Sequence, residues 1–191
     1  MSNSIKFVGV GGQGTILAAK ITCNVLLKAG YDVKMSEIHG MSQRNGSVSS
    51  EVRYGDKVYS PVIEKGHADY LISFEQMEAS RNINYLKKEG ILIVNDHKVN
   101  SMVTLNGKVE YPKEILEKLN SLVKTYSLNA SEIALELGNV KVVNLIMLGA
   151  LSKLLKTKSL NWIEAIKESV KPQFLDINLK AFEIGASQVK Q

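Results

Sequence analysis

Apolar residues recur along this chain with two periods, one suited to strands and one to helices. Ile5-Lys6-Phe7-Val8-Gly9-Val10 is a short, mostly apolar run that breaks into Gly11-Gly12-Gln13-Gly14. From Thr15 to Ala29, the residues Ile16, Ala19, Cys23, Leu26 and Leu27 recur at helical spacing, and Gly30 supplies the stop. Asp32-Val33-Lys34-Met35 follows as a second strand. The opening therefore predicts a β-α-β unit, a parallel pair with a right-handed crossover. His39 to Gly46 is a polar connection, Ser47 to Tyr54 alternates as a strand with Val48 and Val52 as its branched residues, and Gly55-Asp56-Lys57 is a turn.

The alternation continues with Tyr70-Leu71-Ile72-Ser73-Phe74 as a buried strand, Glu75 to Lys88 as a helix stopped by Gly90, and Ile91-Leu92-Ile93-Val94 as a further strand. Asn106-Gly107, between Val103-Thr104-Leu105 and Lys108-Val109-Glu110, carries a two-residue hairpin signal. Helices then take over. Asn129 with Glu132 and Asn161 with Glu164 have capping-box spacing, Val140 to Lys156 is helical in period, and Pro172 separates a last helix starting near Phe174. The expected fold is α/β: a Rossmann-like doubly wound, mostly parallel sheet with a β-hairpin addition and a helical C-terminal part. It forms a single domain over 1–191, with the sheet core in 1–128 and the helical part in 129–191.

Composition narrows the chemistry. The 191 residues hold 24 Lys and Arg against 19 Asp and Glu, a formal charge of +5, with lysines dispersed rather than interleaved with aromatics. Nucleic acid is a poor partner for that pattern, and an anionic small molecule or an acidic protein a better one. The most apolar later run, Leu145 to Leu151, falls far short of the ~18 residues of a membrane span. The first residues carry no basic leader, so a cytoplasmic location is expected. The one cysteine, Cys23, excludes a disulfide framework, a thiolate zinc site and a self-contained iron–sulfur cluster, each of which needs several sulfur ligands. On the apolar side of its helix it reads as a buried, inert thiol. His67 and His97 stand apart with no metal spacing.

Two segments carry candidate chemistry. Gly9-Val10-Gly11-Gly12-Gln13-Gly14 matches G-x-G-x-x-G between a strand and a helix, a context in which free N–H groups and the helix dipole stabilise an anion. It is not a Walker A loop, since Thr15 stands where lysine is needed. Gly11, Gly12, Gln13 and Gly14 are the candidate cofactor-binding residues. The second segment, His39-Gly40-Met41-Ser42-Gln43-Arg44-Asn45-Gly46-Ser47, leaves the second strand beside that turn. It offers a cation, hydroxyls, an amide and an imidazole, with His39 as candidate proton donor.

Taken together, Val8-Gly9-Val10-Gly11-Gly12-Gln13-Gly14 and Lys34-Met35-Ser36-Glu37-Ile38 running on through Arg44-Asn45-Gly46-Ser47-Val48 closely resemble the gamma-type component of 2-oxoacid:ferredoxin oxidoreductases. Within that family the chain looks most like the indolepyruvate oxidoreductase beta subunit. The resemblance continues through Arg53-Tyr54-Gly55-Asp56 and Ala68 to Glu75. Asn45 departs from it, standing where the family usually has a second glycine, and asparagine tolerates the left-handed conformation better than most residues.

The resemblance implies CoA-dependent oxidative decarboxylation of a 2-oxoacid to acyl-CoA and carbon dioxide, with electrons passed to ferredoxin. This chain alone has one cysteine and no Gly-Asp-Gly…Asn-Asn pattern, Gly55-Asp56 being followed by Lys57. Thiamine diphosphate, magnesium and the iron–sulfur clusters are therefore expected on a larger partner subunit, with coenzyme A as co-substrate and the isolated chain inactive. The glycine turn would form one wall of a shared site, and Ser42, Gln43 and Arg44 would contact a substrate carboxylate or a CoA phosphate. Two other readings remain: a freestanding NAD-binding Rossmann oxidoreductase with Glu37 on the ribose, and a non-catalytic assembly module.

Overall fold

The computed structural model describes residues 2–39, 46–100, 102–105, 107, 110–157 and 160–189. β1 (Ser2–Val10) leads through the glycine turn into α1 (Thr15–Lys28), and β2 (Asp32–His39) and β3 (Ser47–Gly55) follow. Next come β4 (Ala68–Ser73), α2 (Gln76–Asn82), a 3-10 turn at Ile83–Tyr85 and β5 (Leu86–Asn95). After the single turn α3 (Met102–Leu105), α4 (Ile115–Leu122) precedes β6 (Lys124–Leu128). The chain closes with α5 (Ala130–Glu136), α6 (Val143–Leu154), α7 (Trp162–Ser169) and α8 (Leu175–Ser187).

One sheet runs in the order β2-β3-β1-β4-β5-β6. β1 with β4, β4 with β5 and β5 with β6 are parallel, which makes the α/β architecture the expected mostly parallel one. The first crossover departs from expectation. β3 inserts between β1 and β2, antiparallel to both, so the first two strands point the same way without touching. Burial follows this order: Val52, Tyr54 and Ser50 of β3 are buried, whereas every residue of β2 described at side-chain level is at least partly exposed. The two strands carry three large apolar residues each, so composition does not mark which of them takes the interior.

The antiparallel addition is thus β2–β3 and not the segment around Asn106. Val103, Thr104 and Leu105 belong to the α3 turn, and Asn106, Lys108 and Val109 lie outside the described residues. The helix after Glu75 stops at Asn82, well before Gly90, which lies inside β5 where the β4–β5 register shifts. α4 and β6 add to the expected order of elements, although Ile115, Leu116, Leu119 and Leu122 recur at helical spacing. β6 is an edge strand of mixed polarity, and α4 spans only two turns with Ile115 and Leu119 as its buried contacts.

Strand alternation feeds two cores. Ile5, Phe7, Val52, Ile72 and Ile93 face α1 and α5 to α8, while Val8, Leu71, Leu92 and Val94 face α2 and α4. α6 is buried all round from Val143 to Leu151. It crosses α8 so closely that a Cβ on Gly149 would lie 2.0 Å from the Phe182 carbonyl oxygen. Asn161 caps α7, accepting from the Glu164 N–H at 3.2 Å while its amide reaches the Glu164 carboxylate at 2.9 Å. Asn129 precedes α5 without a side-chain cap bond.

Candidate functional site

α1 lies on one face of the sheet and α2 on the other, so the winding reverses between β1 and β4. In an open α/β sheet the crevice outside the carboxyl ends of such strands is where ligands bind. The glycine turn fills that point. Gly12 and Gly14 have φ of 97° and 80°, a left-handed geometry that favours glycine. At Gly14 a Cβ would also lie 2.8 Å from Asn144 Nδ2 at the start of α6.

The donors of the turn divide into two sets. The Gly11 N–H is taken by the Gly46 carbonyl at 2.9 Å, and the Gln13 N–H by the Val10 carbonyl at 3.2 Å. Among the described residues no group accepts from the N–H of Gly12 or Gly14. Both lie at the positive end of α1, whose first residue, Thr15, is 3% exposed with an unpartnered hydroxyl. Donors without acceptors at a helix start suit an anion. In the sequence Thr15 counts only as the residue that excludes a Walker A loop, although its place directly after the last glycine was the available signal for a ligand contact.

Gln13 uses its side chain internally. Its Oε1 accepts from the Val10 N–H at 2.9 Å and its Nε2 donates to the Phe74 carbonyl at 3.2 Å, tying the carboxyl ends of β1 and β4 together. Gly9 makes this possible, because a Cβ there would stand 2.8 Å from Gln13 Oε1. Gln13 therefore shapes the turn with both its side-chain amide and its backbone N–H.

The freestanding dinucleotide reading finds no support in this geometry. Glu37 sits on β2, one strand removed from β1, and its carboxylate lies 3.6 Å from Lys20 of α1. Gln13 bridges the carboxyl ends of β1 and β4. His39 ends β2 opposite Val48 of β3. Ser42, Gln43 and Arg44 lie outside the described residues.

On the far side of the turn stand two buried carboxylates. Glu75 is 0% exposed; it accepts from the Glu78 and Val99 N–H groups and from the Tyr111 hydroxyl. Burial first, and the hydrogen bond to Glu75 second, push the Tyr111 hydroxyl pKa up. Glu78 holds Arg81 at 2.7 Å and the Ser47 hydroxyl at 2.6 Å.

Neither carboxylate forms a metal site, and no cluster of three His, Cys, Asp or Glu occurs among the described residues. The donor set does not suit an iron–sulfur cluster, since Cys23 is the one cysteine and burial pushes its thiol up to about 12. Gly55-Asp56 lies opposite Ser2, at the other end of β1 from the turn, so it cannot serve a thiamine diphosphate site there. No described helix is long and apolar enough to cross a membrane.

The profile of the pyruvate ferredoxin/flavodoxin oxidoreductase family matches residues 4–188. The indolepyruvate oxidoreductase subunit IorB of Pyrococcus horikoshii is 39% identical over 98% of this chain and 96% of its own length. The keto/oxoacid ferredoxin oxidoreductase gamma subunit of Geobacter sulfurreducens superposes with a TM-score of 0.73 at 25% identity, covering 97% of each chain. A 2-oxoglutarate:ferredoxin oxidoreductase of Magnetococcus marinus, with 2-oxoglutarate, coenzyme A and succinyl-CoA bound, shares the fold. Its TM-score is 0.77 at 21% identity, over 98% of this chain and 31% of that one. With these matches spanning nearly the whole sequence, the chain belongs to the pyruvate ferredoxin/flavodoxin oxidoreductase family, as a small subunit of the 2-oxoacid:ferredoxin oxidoreductase type.

Proposed function

We propose that this chain is the small subunit of a cytoplasmic, CoA-dependent oxidoreductase that decarboxylates an aryl or branched 2-oxoacid, with indolepyruvate the leading candidate. In this reading its glycine turn walls an active site shared with a larger subunit. The carrying observation is the pair of unaccepted N–H groups on Gly12 and Gly14 at the start of α1. The identity to an indolepyruvate oxidoreductase subunit supports the substrate class, and the CoA-bound relative of the same fold supports coenzyme A.

The chemistry divides between the subunits. Thiamine diphosphate with magnesium and the iron–sulfur clusters, held by the larger subunit, supply decarboxylation and the route of electrons to ferredoxin. This chain contributes fixed donors. Of Gly11, Gly12, Gln13 and Gly14, Gly12 and Gly14 meet a carboxylate or a phosphate through their N–H groups while Gly11 and Gln13 hold the turn, and Ser42, Gln43 and Arg44 add contacts from the neighbouring segment. Because the turn is already folded by Gln13 and Gly9, its donors need no reordering when the anion arrives. His39, at the end of β2, is the candidate proton donor.

The test is copurification with the larger subunit, followed by assay of the complex on several 2-oxoacids with a viologen acceptor. Gly12→Ala places a methyl beside the donors, in space where a Cβ meets no described residue within 4 Å, and carries only the left-handed strain of its φ of 97°. The expected result is normal assembly with a KM for the oxoacid or for CoA raised at least tenfold. Normal assembly with unchanged kinetics would leave the chain as an assembly module.

A further inference from the structure

Glu78 is the third residue of α2 and only 1% exposed. A carboxylate buried so deeply stays charged only when its oxygens are met by donors. Oε1 accepts from Arg81 Nη1 at 2.7 Å and Oε2 from Ser47 Oγ at 2.6 Å. An exposed glutamate could have paired with Arg81, which is itself more than half exposed. Burial is what brings the second oxygen to Ser47.

Ser47 opens β3 and is exposed, so packing does little to hold it. It pairs with Val10, the last residue of β1, and Gly46 just before it takes the Gly11 N–H at 2.9 Å. The end of the β1–β3 ladder therefore runs directly into the glycine turn. A ladder frays from its end, and here the end is fastened by one charge-assisted hydrogen bond.

Resting on the reading of the turn as an anion site, we propose that Glu78 is a positioning residue. Through Ser47 it keeps Gly46 seated on Gly11, and so holds the Gly12 and Gly14 N–H groups in one direction for the incoming anion. Glu78 touches no substrate. When Ser47 loses its hydroxyl, Oε2 loses that donor but Arg81 still pairs with Oε1, so Ser47→Ala keeps the buried charge paired and is the variant of choice.

The experiment has two readouts. Amide hydrogen exchange on the full chain reports the Gly11 N–H, and steady-state kinetics on the complex with its larger subunit report the site. In Ser47→Ala, Gly11 exchange is expected to rise on the order of tenfold, and KM for the anionic substrate about five- to tenfold, with kcat changed less than KM. Ser47→Thr, which keeps the hydroxyl, is expected to restore both to within about twofold, and a purely structural role would not give that paired rescue. Glu78→Gln, retaining an acceptor for Ser47, is expected to fall between. Unchanged Gly11 exchange in Ser47→Ala would overturn the clamp itself. Raised exchange with unaltered KM for both oxoacid and CoA would instead overturn the anion role of the turn, and the positioning role with it.

Discussion

Lys6 and Glu51 sit directly opposite each other on β1 and β3, Nζ 2.5 Å from Oε1, with each side chain 3% exposed. The remaining contacts complete the pair: the ammonium lies 4.1 Å from the Tyr85 ring centroid, and the second carboxylate oxygen accepts from the Ile63 N–H at 3.0 Å. Such a pair is stable because each charge is answered, not because burial favours ions. Lys6→Met, which strands the carboxylate, is expected to destabilise the chain by ~3–5 kcal/mol. The double variant Lys6→Met with Glu51→Gln removes both charges yet keeps an acceptor for Ile63, and is expected to recover most of the loss. Urea unfolding of the two single variants and the double variant decides it. A double variant as unstable as the sum of the singles would show that the charges are not coupled.

The α6–α8 crossing makes a sharper demand on size. Gly149→Ala drives a methyl against the Phe182 carbonyl, 2.0 Å from the built position, and a helix backbone cannot move aside as a side chain can. The expected cost is at least the upper end of the ~1–3 kcal/mol typical of overpacking, which lowers Tm by roughly 6–12 °C in a chain of this size. Gly66→Ala, with φ of 76° and nothing within 4 Å of the added carbon, is the control. It should cost only the left-handed strain of ~1–2 kcal/mol. Thermal unfolding of the two variants side by side checks the ranking.

Cys23 yields a pH prediction. Burial raises its thiol from 9.0 to about 12. At pH 8 its thiolate population should be about a thousandfold below that of an ordinary cysteine, so alkylation of the native chain should be slower by a similar factor. Between pH 9 and about 12 the unfolded thiol sheds a proton that the folded one keeps. This group therefore favours unfolding increasingly as pH rises through that window, and is neutral below it. Iodoacetamide labelling with and without denaturant, from pH 7 to 10, measures the difference. Fast native labelling at pH 8 would contradict a thiol kept protonated by its partial burial.

Arg44 tests the reading of the segment beside the turn. If it pairs with a substrate carboxylate or a CoA phosphate, Arg44→Ala in the assembled complex should lose a contact worth ~1.5–3 kcal/mol, roughly 10- to 150-fold in kcat/KM. Lysine should rescue only partly, since a point charge cannot reproduce a bidentate fork. Size exclusion beside the kinetics separates an assembly defect from a binding one. A variant that assembles and turns over like the parent would make the segment structural.

Sequence alone determined whatever depends on neighbours along the chain. The strand–glycine–helix succession at Val8 to Thr15, the stop of α1 before Gly30, the Asn161 cap and the last helix beginning beside Phe174 were all legible, because periodicity, caps and left-handed turns are local. The paired motifs at 8–14 and 34–48 likewise carried the family. Tertiary structure decided the rest. Which strand stands beside β1 is not written in composition, since β2 and β3 carry three large apolar residues each, and it is decided by pairing between segments distant in the chain. Gln13 reads in sequence as a ligand contact, but its amide finds Val10 and, 61 residues away, Phe74. Glu75 and Glu78 look like an ordinary first helical turn until burial forces their oxygens onto Tyr111, Val99, Ser47 and Arg81. A buried polar atom must be satisfied by whatever the fold brings to it, and that partner is set by topology, not by spacing.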